Sequence, residues 1–104
     1  MRLVVLGGGE SGVGTAFLAK KQGWTVFVSD RGEVKEDNQI ELINLGVEWE
    51  QGTHSVERIL SADLIVKSPG IPSTVSLIQQ AKNKGIPVVS EIEFAVYYSN
   101  AKTI

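Results

Sequence analysis

The sequence lacks cysteine and has a single histidine, so two common kinds of site are missing. Without a thiol, neither a disulfide nor a thiolate metal ligand can form. The one histidine, His54, lies in a Gly-Thr-His-Ser segment and has no second histidine with which to share a metal. We interpret it as a surface or capping residue, expect no metal site, and expect one hydrophobic core to hold the 104 residues.

Long apolar segments and an excess of positive charge are also missing. The apolar runs, such as residues 3–6, are far shorter than the roughly 20 residues of a membrane-spanning helix. The first residues lack the separate charged and apolar regions of a signal peptide. Ten basic against 12 acidic side chains give a net charge of −2, without the basic excess typical of nucleic-acid binding. We therefore expect a cytoplasmic protein that binds neither membranes nor nucleic acid.

What the sequence does contain is a regular alternation of short β-branched segments with segments of helical periodicity. Strands are predicted at 2–6, 25–29, 47–49, 64–67 and 87–89, and helices at 11–22, 38–45, 55–60, 73–84 and 91–98. This alternation is typical of a parallel sheet. We predict a single α/β domain, Rossmann-like, with an open, mostly parallel five-stranded sheet and helices on both faces.

The helical spacing also predicts which side chains point inward. These are Val13, Ala16 and Phe17; Ile40 and Ile43; Val75, Ile78 and Ala81; and Ile92, Ala95 and Val96. After the last helix, Ser99-Asn100 predicts a turn and residues 101–104 an extended segment that stops abruptly. We expect the chain to be a piece of a longer protein.

The strongest motif is the glycine-rich segment 7–14, between the first strand and the first helix. Gly7, Gly9 and Gly12 have the G-x-G-x-x-G spacing. Gly7 would make the tight turn, Gly9 would let the backbone approach a phosphate, and Gly12 would let the helix pack close to the strand. In this position the motif favours nucleotide binding over a simple turn. Glu10 would then have to point to solvent, because its carboxylate would repel a phosphate.

Two more loops follow predicted strands. Asp30 ends the second strand, where it could accept hydrogen bonds from a ribose or could cap the following turn; the spacing leaves both open. The segment Ser68-Pro69-Gly70-Ile71-Pro72 follows the fourth strand and cannot be helical. The loops after strands one, two and four would converge on one sheet edge and form a crevice for an extended phosphorylated ligand.

Together these features resemble the Mur ligases of bacterial cell-wall synthesis, and most closely the N-terminal domain of the branch that adds D-glutamate. The resemblance covers essentially the whole chain and rests on the glycine loop 7–12, on Asp30, and on segments 62–71 and 90–93. The Ser-Pro-Gly-Ile segment and the later Glu-Ile-Glu are its most specific parts, since many folds share the glycine loop.

The resemblance implies that the domain binds the UDP portion of UDP-N-acetylmuramoyl-L-alanine. The residues implied for the diphosphate are Gly9, Glu10, Ser11 and Gly12, and those implied for the uridine are Asp30, Arg31, Ser68 and Gly70. Glu10, Arg31 and Gly32 depart from the side chains usual in the family.

The resemblance further implies an ATP- and Mg²⁺-dependent ligase of three domains. The lysine loop that holds ATP, G-x-x-x-x-G-K-[ST], does not occur here. We therefore expect a substrate-binding N-terminal fragment without catalytic residues or a cofactor of its own, separated from the central ATP-binding and C-terminal domains. Glu91 and Glu93 are two residues apart and face different sides of a helix, so they are not a catalytic carboxylate pair. The alternatives are an NAD-binding regulatory or oxidoreductase module and a scaffold domain without a ligand.

Overall fold

The computed structural model describes residues 1–71 and 76–102, with side chains described as far as residue 98. Within these residues the chain forms five strands: β1 Arg2–Leu6, β2 Thr25–Asp30, β3 Glu48–Gln51, β4 Leu64–Lys67 and β5 Val88–Ser90. Five helices alternate with them: α1 Glu10–Lys21, α2 Glu36–Leu45, α3 Val56–Ile59, α4 Ser76–Asn83 and α5 Glu91–Lys102. The predicted alternation is confirmed. Val75 and the predicted start of its helix lie outside the described residues.

The strands form one sheet in the order β3-β2-β1-β4-β5, and every pairing is parallel. The central strand β1 has neighbours on both sides, with Val5 paired to Val28 of β2 and to Val66 of β4. Because parallel strands all end at the same edge, the loops after β1, β2 and β4 lie side by side there. Successive strands are added on one side of β1 as far as β3, and β4 and β5 are then added on its other side. Open α/β sheets bind ligands where the strand order reverses in this way, here between β1 and β4.

Alternate residues of β1 point into two separate cores, so the expectation of one hydrophobic core was wrong: the sheet divides the buried residues into two layers. Leu3 and Val5 face a layer that includes Ala16 of α1, Leu42 of α2 and Phe94 of α5. On the opposite face, the second core joins β1, β2 and β4 to α3 and α4; its main members are Val4, Leu6, Phe27, Ile59, Ile65 and Ile78. Helices therefore cover both faces of the sheet, and the predicted fold class is confirmed.

Several predictions of the buried helix face were wrong. Phe17 is 51% exposed, and Ile43 of α2 is 64% exposed. Also exposed are Ile40, Ile92, Ala95 and Val96. The predictions for Ala16, Ile78 and Ala81 are confirmed, since all three are buried. In α1 the buried stripe runs through Ala16 and Ala19 and not through Phe17, because small side chains allow the helix to approach the sheet closely. Apolar spacing alone does not tell which stripe of a helix meets the sheet.

The predicted boundaries were wrong at two other places. Strand β3 continues to Gln51 instead of ending at Trp49, so it extends to the sheet edge where the loops after β1, β2 and β4 lie. Helix α5 continues to Lys102, so the predicted turn at 99–100 and the predicted extended segment at 101–102 are helical instead. Residues 103–104 lie outside the described residues. In the part of the chain that the structure describes, no helix is both long and apolar enough to cross a membrane.

Candidate functional site

The glycine loop between β1 and α1 has the geometry that its sequence predicted. Gly7 has a φ of +118°, which favours glycine, and its N–H donates to the Ser29 carbonyl at 2.9 Å. A Cβ on Gly12 would overlap the carbonyl oxygen of Gly7. Gly12 therefore has to be glycine for α1 to begin this close to the strand.

The first turn of α1 is open to solvent. Gly9 is the N-cap, and a Cβ added to it would meet no atom within 4 Å. Glu10 and Ser11 are exposed, so the Glu10 carboxylate is free to point away from the helix axis. The N–H groups of Glu10, Ser11 and Gly12 have no acceptor within the helix, as at every helix start. This turn can bind an anionic group such as a phosphate, because its N–H groups can donate to the anion.

Asp30 links the end of β2 to the glycine loop. Its Oδ2 accepts the Gly8 N–H at 2.8 Å, and its Oδ1 accepts the Gly32 N–H at 2.8 Å. Of the two roles that the sequence left open, the structure shows the turn-capping one. Each carboxylate oxygen keeps a second lone pair, so a ribose contact at Asp30 stays a prediction.

The loop after β4 lies directly against the glycine loop. Ser68 donates its N–H to the Leu6 carbonyl at 3.0 Å and accepts the Ile71 N–H at 3.1 Å in a tight turn. Its Cβ lies 2.9 Å from the position that a Cβ on Gly7 would occupy. Gly70 is exposed at the tip of the loop. The structure thus brings Ser68 and the glycine loop together at the centre of the sheet edge.

The site residues border three different cavities, one of which lies next to Ser11 and Glu91. A cavity of about 150 Å³ lies beside the glycine loop and is lined by Gly9, Glu10, Asp30 and Lys35, among others. Arg31 faces another cavity, of about 490 Å³, between the loops that follow β2 and β3 and helix α4. Arg31 is therefore one residue from Asp30 in sequence but contributes to a separate part of the edge.

His54 is half-buried in a hydrogen-bond network at the end of β2, whereas we expected a surface or capping residue. Its Nδ1 lies 2.6 Å from the hydroxyl oxygen of Ser29, which is fully buried in β2. The same hydroxyl lies 2.7 Å from Oε2 of Glu50, and Glu50 also accepts the Ser55 N–H at 2.7 Å. The sequence hid this role because β3 was predicted to end before Glu50.

The ionisation states in this network follow from its contacts. Burial alone would raise the pKa of Glu50, but hydrogen bonds from Ser55 and Ser29 outweigh burial and lower it. Burial lowers the pKa of His54; Arg31 adds to this effect, while Glu50 and Asp30 oppose it. At neutral pH Glu50 is therefore a carboxylate and His54 a neutral imidazole.

Glu91 is a second residue whose buried environment the sequence did not reveal. It is only 7% exposed, and among the described residues neither carboxylate oxygen has a hydrogen-bond partner of standard geometry. It lines a cavity of about 330 Å³ together with Ser11, Thr15 and Pro69. Burial raises the pKa of Glu91, and the neighbouring Ser11 and Thr15 hydroxyls oppose the shift. An isolated glutamate at a helix start carries no sequence signal of burial.

Glu93, by contrast, caps α5 in an exposed position. Its carboxylate accepts the Ser90 N–H at 3.0 Å, and its own N–H donates to the Ser90 hydroxyl at 3.0 Å. This is a capping box, and it accounts for the Ser-Glu-Ile-Glu segment in local terms. Within residues 1–71 and 76–102, no three His, Cys, Asp or Glu side chains group together in a way that could hold a metal ion.

A central β1, a parallel 3-2-1-4-5 strand order and a glycine loop opening α1 define a Rossmann-like α/β domain. Residues 1–90 match the family described as the Mur ligase MurD-like N-terminal domain. The chain belongs to this family, as its sequence motifs predicted.

Similar proteins agree with that assignment. The chain is 50% identical over 103 residues to UDP-N-acetylmuramoylalanine–D-glutamate ligase of Christiangramia forsetii, and 52% identical over 103 residues to that of Bacteroides fragilis. The match covers 99% of this chain in both cases but only 23% of each relative's length.

Solved structures share the fold at lower identity. The UDP-N-acetylmuramate–alanine ligase of Thermotoga maritima has a TM-score of 0.77 at 21% identity, over 99% of this chain and 23% of that one. A murein peptide ligase of Psychrobacter arcticus has a TM-score of 0.79 at 24% identity, over 90% of this chain and 20% of that one. These likenesses concern the fold alone.

Proposed function

We propose that this chain is the UDP-binding N-terminal domain of a ligase that adds D-glutamate to UDP-N-acetylmuramoyl-L-alanine during peptidoglycan precursor synthesis. The observation that carries the proposal is the meeting of the glycine loop, Asp30 and Ser68 at one sheet edge. The family and the names of the similar ligases support the choice of substrate.

In this proposal the start of α1 binds the diphosphate. Gly9, with no neighbour within 4 Å of an added Cβ, leaves room for a phosphate oxygen to approach the backbone. The N–H groups of Glu10, Ser11 and Gly12 point along the helix axis and would donate to that oxygen. Ser11 is exposed in this turn, so its backbone N–H is open to the ligand.

The uridine would lie across the loops beside the diphosphate. Asp30 has lone pairs left to accept a ribose hydroxyl, and Ser68 and Gly70 would close the other side. Arg31 would lie at the end of the ligand farther from β1, because it lines the larger cavity next to the β3 loop.

ATP and Mg²⁺ do not fit the residues of this chain. The sequence has no lysine after a glycine, and no group of metal ligands occurs in the described part of the chain. We place both cofactors and all catalytic residues in central and C-terminal domains outside this chain. The relatives are long enough to contain such domains, since this chain spans 23% of the length of the first of them. On this view the chain alone binds substrate and does not catalyse ligation.

A titration of this chain with competing ligands tests the proposal. We expect UDP and UDP-N-acetylmuramoyl-L-alanine to raise the unfolding temperature, because a ligand that binds the native state stabilises it by about 2.7 kcal/mol at 100 times its Kd. NAD at equal concentration should have no such effect. The NAD-binding alternative, which Asp30 at the end of β2 favours, predicts the reverse order. A scaffold domain predicts no shift with either ligand.

A further inference from the structure

The 490 Å³ cavity between the loops after β2 and β3 and helix α4 is lined mainly by polar residues. Arg31 and His54 lie on its wall, along with Thr53, Ser76 and Gln80. It lies at the same sheet edge as the glycine loop, since Arg31 directly follows Asp30, whose carboxylate holds Gly8. A role for this cavity in recognising the base rests on the proposed UDP function.

The hydrogen-bond network determines which nitrogen of His54 carries the proton. The Ser29 hydroxyl has one proton to donate, and the ionised Glu50, at 2.7 Å, can only accept. The Thr53 carbonyl is a more distant alternative acceptor, at 3.4 Å. The Ser29 oxygen must therefore accept from His54, so the proton is on Nδ1.

The other ring nitrogen, Nε2, is then an acceptor. It has no hydrogen-bond partner in the part of the chain that the structure describes. Arg31 can only donate, because a guanidinium has five N–H groups and no lone pair for hydrogen bonding. Two lining residues of the cavity therefore have opposite capacities: His54 can accept through Nε2, and Arg31 can only donate.

We propose that this pair recognises uracil: His54 Nε2 accepts the N3–H of the base, and Arg31 donates to a neighbouring carbonyl oxygen. Uracil offers this donor and acceptor side by side. Cytosine carries a lone pair at N3, which would place two acceptors face to face at His54. Its amino group at C4 could place two donors face to face at Arg31. A site that leaves polar groups unpaired with the wrong ligand discriminates strongly against it.

The test compares UDP with CDP by calorimetric titration of this chain. We expect UDP to bind at least about tenfold more tightly than CDP. This factor lies in the range found for recognition of a base by hydrogen bonds. His54→Asn keeps an amide N–H that can donate to Ser29 but has no acceptor at the Nε2 position. It should weaken UDP binding about tenfold and leave CDP binding unchanged.

Two further variants complete the design. His54→Gln places an amide oxygen near the Nε2 position and should recover part of the preference for UDP. Asn44→Ala, an exposed substitution on α2, should change neither affinity. Circular dichroism of each variant establishes that the sheet is intact.

Equal binding of UDP and CDP by the unmodified chain, or an unchanged preference in folded His54→Asn and His54→Gln, overturns the role of His54 while the UDP site stands. If the unmodified chain binds neither UDP nor CDP, the proposed function fails, and the inference fails with it.

Discussion

The carboxylate of Asp30 accepts a hydrogen bond from the Gly8 N–H at 2.8 Å, which ties the end of β2 to the loop that follows β1. The two residues are 22 positions apart in the chain. A second bond, from Gly32, holds the turn after β2 at the same carboxylate. One side chain therefore orders both loops that are proposed to face the ligand.

Replacing Asp30 with Asn should destabilise the chain. The amide has one acceptor oxygen, so its NH₂ group would face one of two N–H donors and leave it unpaired. We expect the free energy of unfolding to fall by about 1–3 kcal/mol, measured by urea titration. Asp37→Asn, on the exposed first turn of α2, is the matched control and should cost less. Equal losses in both variants would contradict a structural role for Asp30.

The same substitution should also weaken ligand binding more than Arg31→Ala does. Asp30 positions the glycine loop and is also proposed to face the ribose, whereas Arg31 lines the neighbouring cavity. Titration of both variants with UDP measures the order. If Arg31→Ala proves the more damaging change, the main uridine contact has moved to the arginine.

Gly9→Val should abolish UDP binding without unfolding the chain. Gly9 has a φ of −77° and open space around its Cβ position, so valine is accommodated, but its side chain would block the approach of a phosphate. Gly12→Ala should instead destabilise the chain by about 1–3 kcal/mol, because its Cβ would overlap the Gly7 carbonyl. Undiminished UDP affinity in folded Gly9→Val would show that the phosphates bind elsewhere.

Gly14→Ala provides the matched control for both glycine variants. Gly14 lies within α1 with nothing near its Cβ position, and alanine is the better helix former. We expect a gain of about 0.5–1 kcal/mol in the free energy of unfolding. UDP binding should stay the same, which thermal unfolding with and without ligand can measure.

Glu91→Gln should stabilise the chain at neutral pH. Burial raises the pKa of Glu91 in the folded state, so the folded state binds its proton more tightly than the unfolded state does. The carboxylate therefore lowers stability increasingly as the pH rises above about 4.5, and glutamine removes this penalty. Unfolding temperatures from pH 4 to 8 should show a gain for Glu91→Gln that disappears at the acid end.

Glu93→Gln should behave in the opposite way and serves as the comparison. Hydrogen bonds from Ser90 lower the pKa of Glu93, so its carboxylate stabilises the fold above its unfolded pKa, and this contribution is lost as the pH falls. The variant should lose stability at neutral pH, with the difference closing at acid pH. The same pH profile for both variants would refute the different environments assigned to Glu91 and Glu93.

His54 should make the chain less stable in mild acid. Because burial lowers its folded pKa, the unfolded state binds more protons once the pH falls below about 6.5. Stability should drop as the pH falls from that value through the folded pKa of His54. Urea titrations at pH 8 and pH 5 should show a larger loss for the unmodified chain than for His54→Asn.

The parts of the site that follow strands with clear sequence signals could be predicted. Gly7 and Gly12 occupy positions where only glycine fits, and Ser68 follows a strand whose neighbour in the sheet is β1. Other contributions could not be predicted, because they depend on contacts between distant segments. His54 gains its role from Ser29, 25 residues earlier, and Glu91 from its burial beside Ser11.

The strand–helix order, the glycine loop and the family could all be predicted from the amino-acid sequence, because they depend on local periodicity and on glycine and proline geometry. The buried stripe of each helix and the pairing of polar groups depend instead on how the layers pack. Exposed Phe17 and Ile43 have the same spacing as core residues, yet the sheet contacts other faces of their helices. Burial and hydrogen-bond partners are properties of the packed layers, so the state of His54 and Glu91 emerges only when those layers come together.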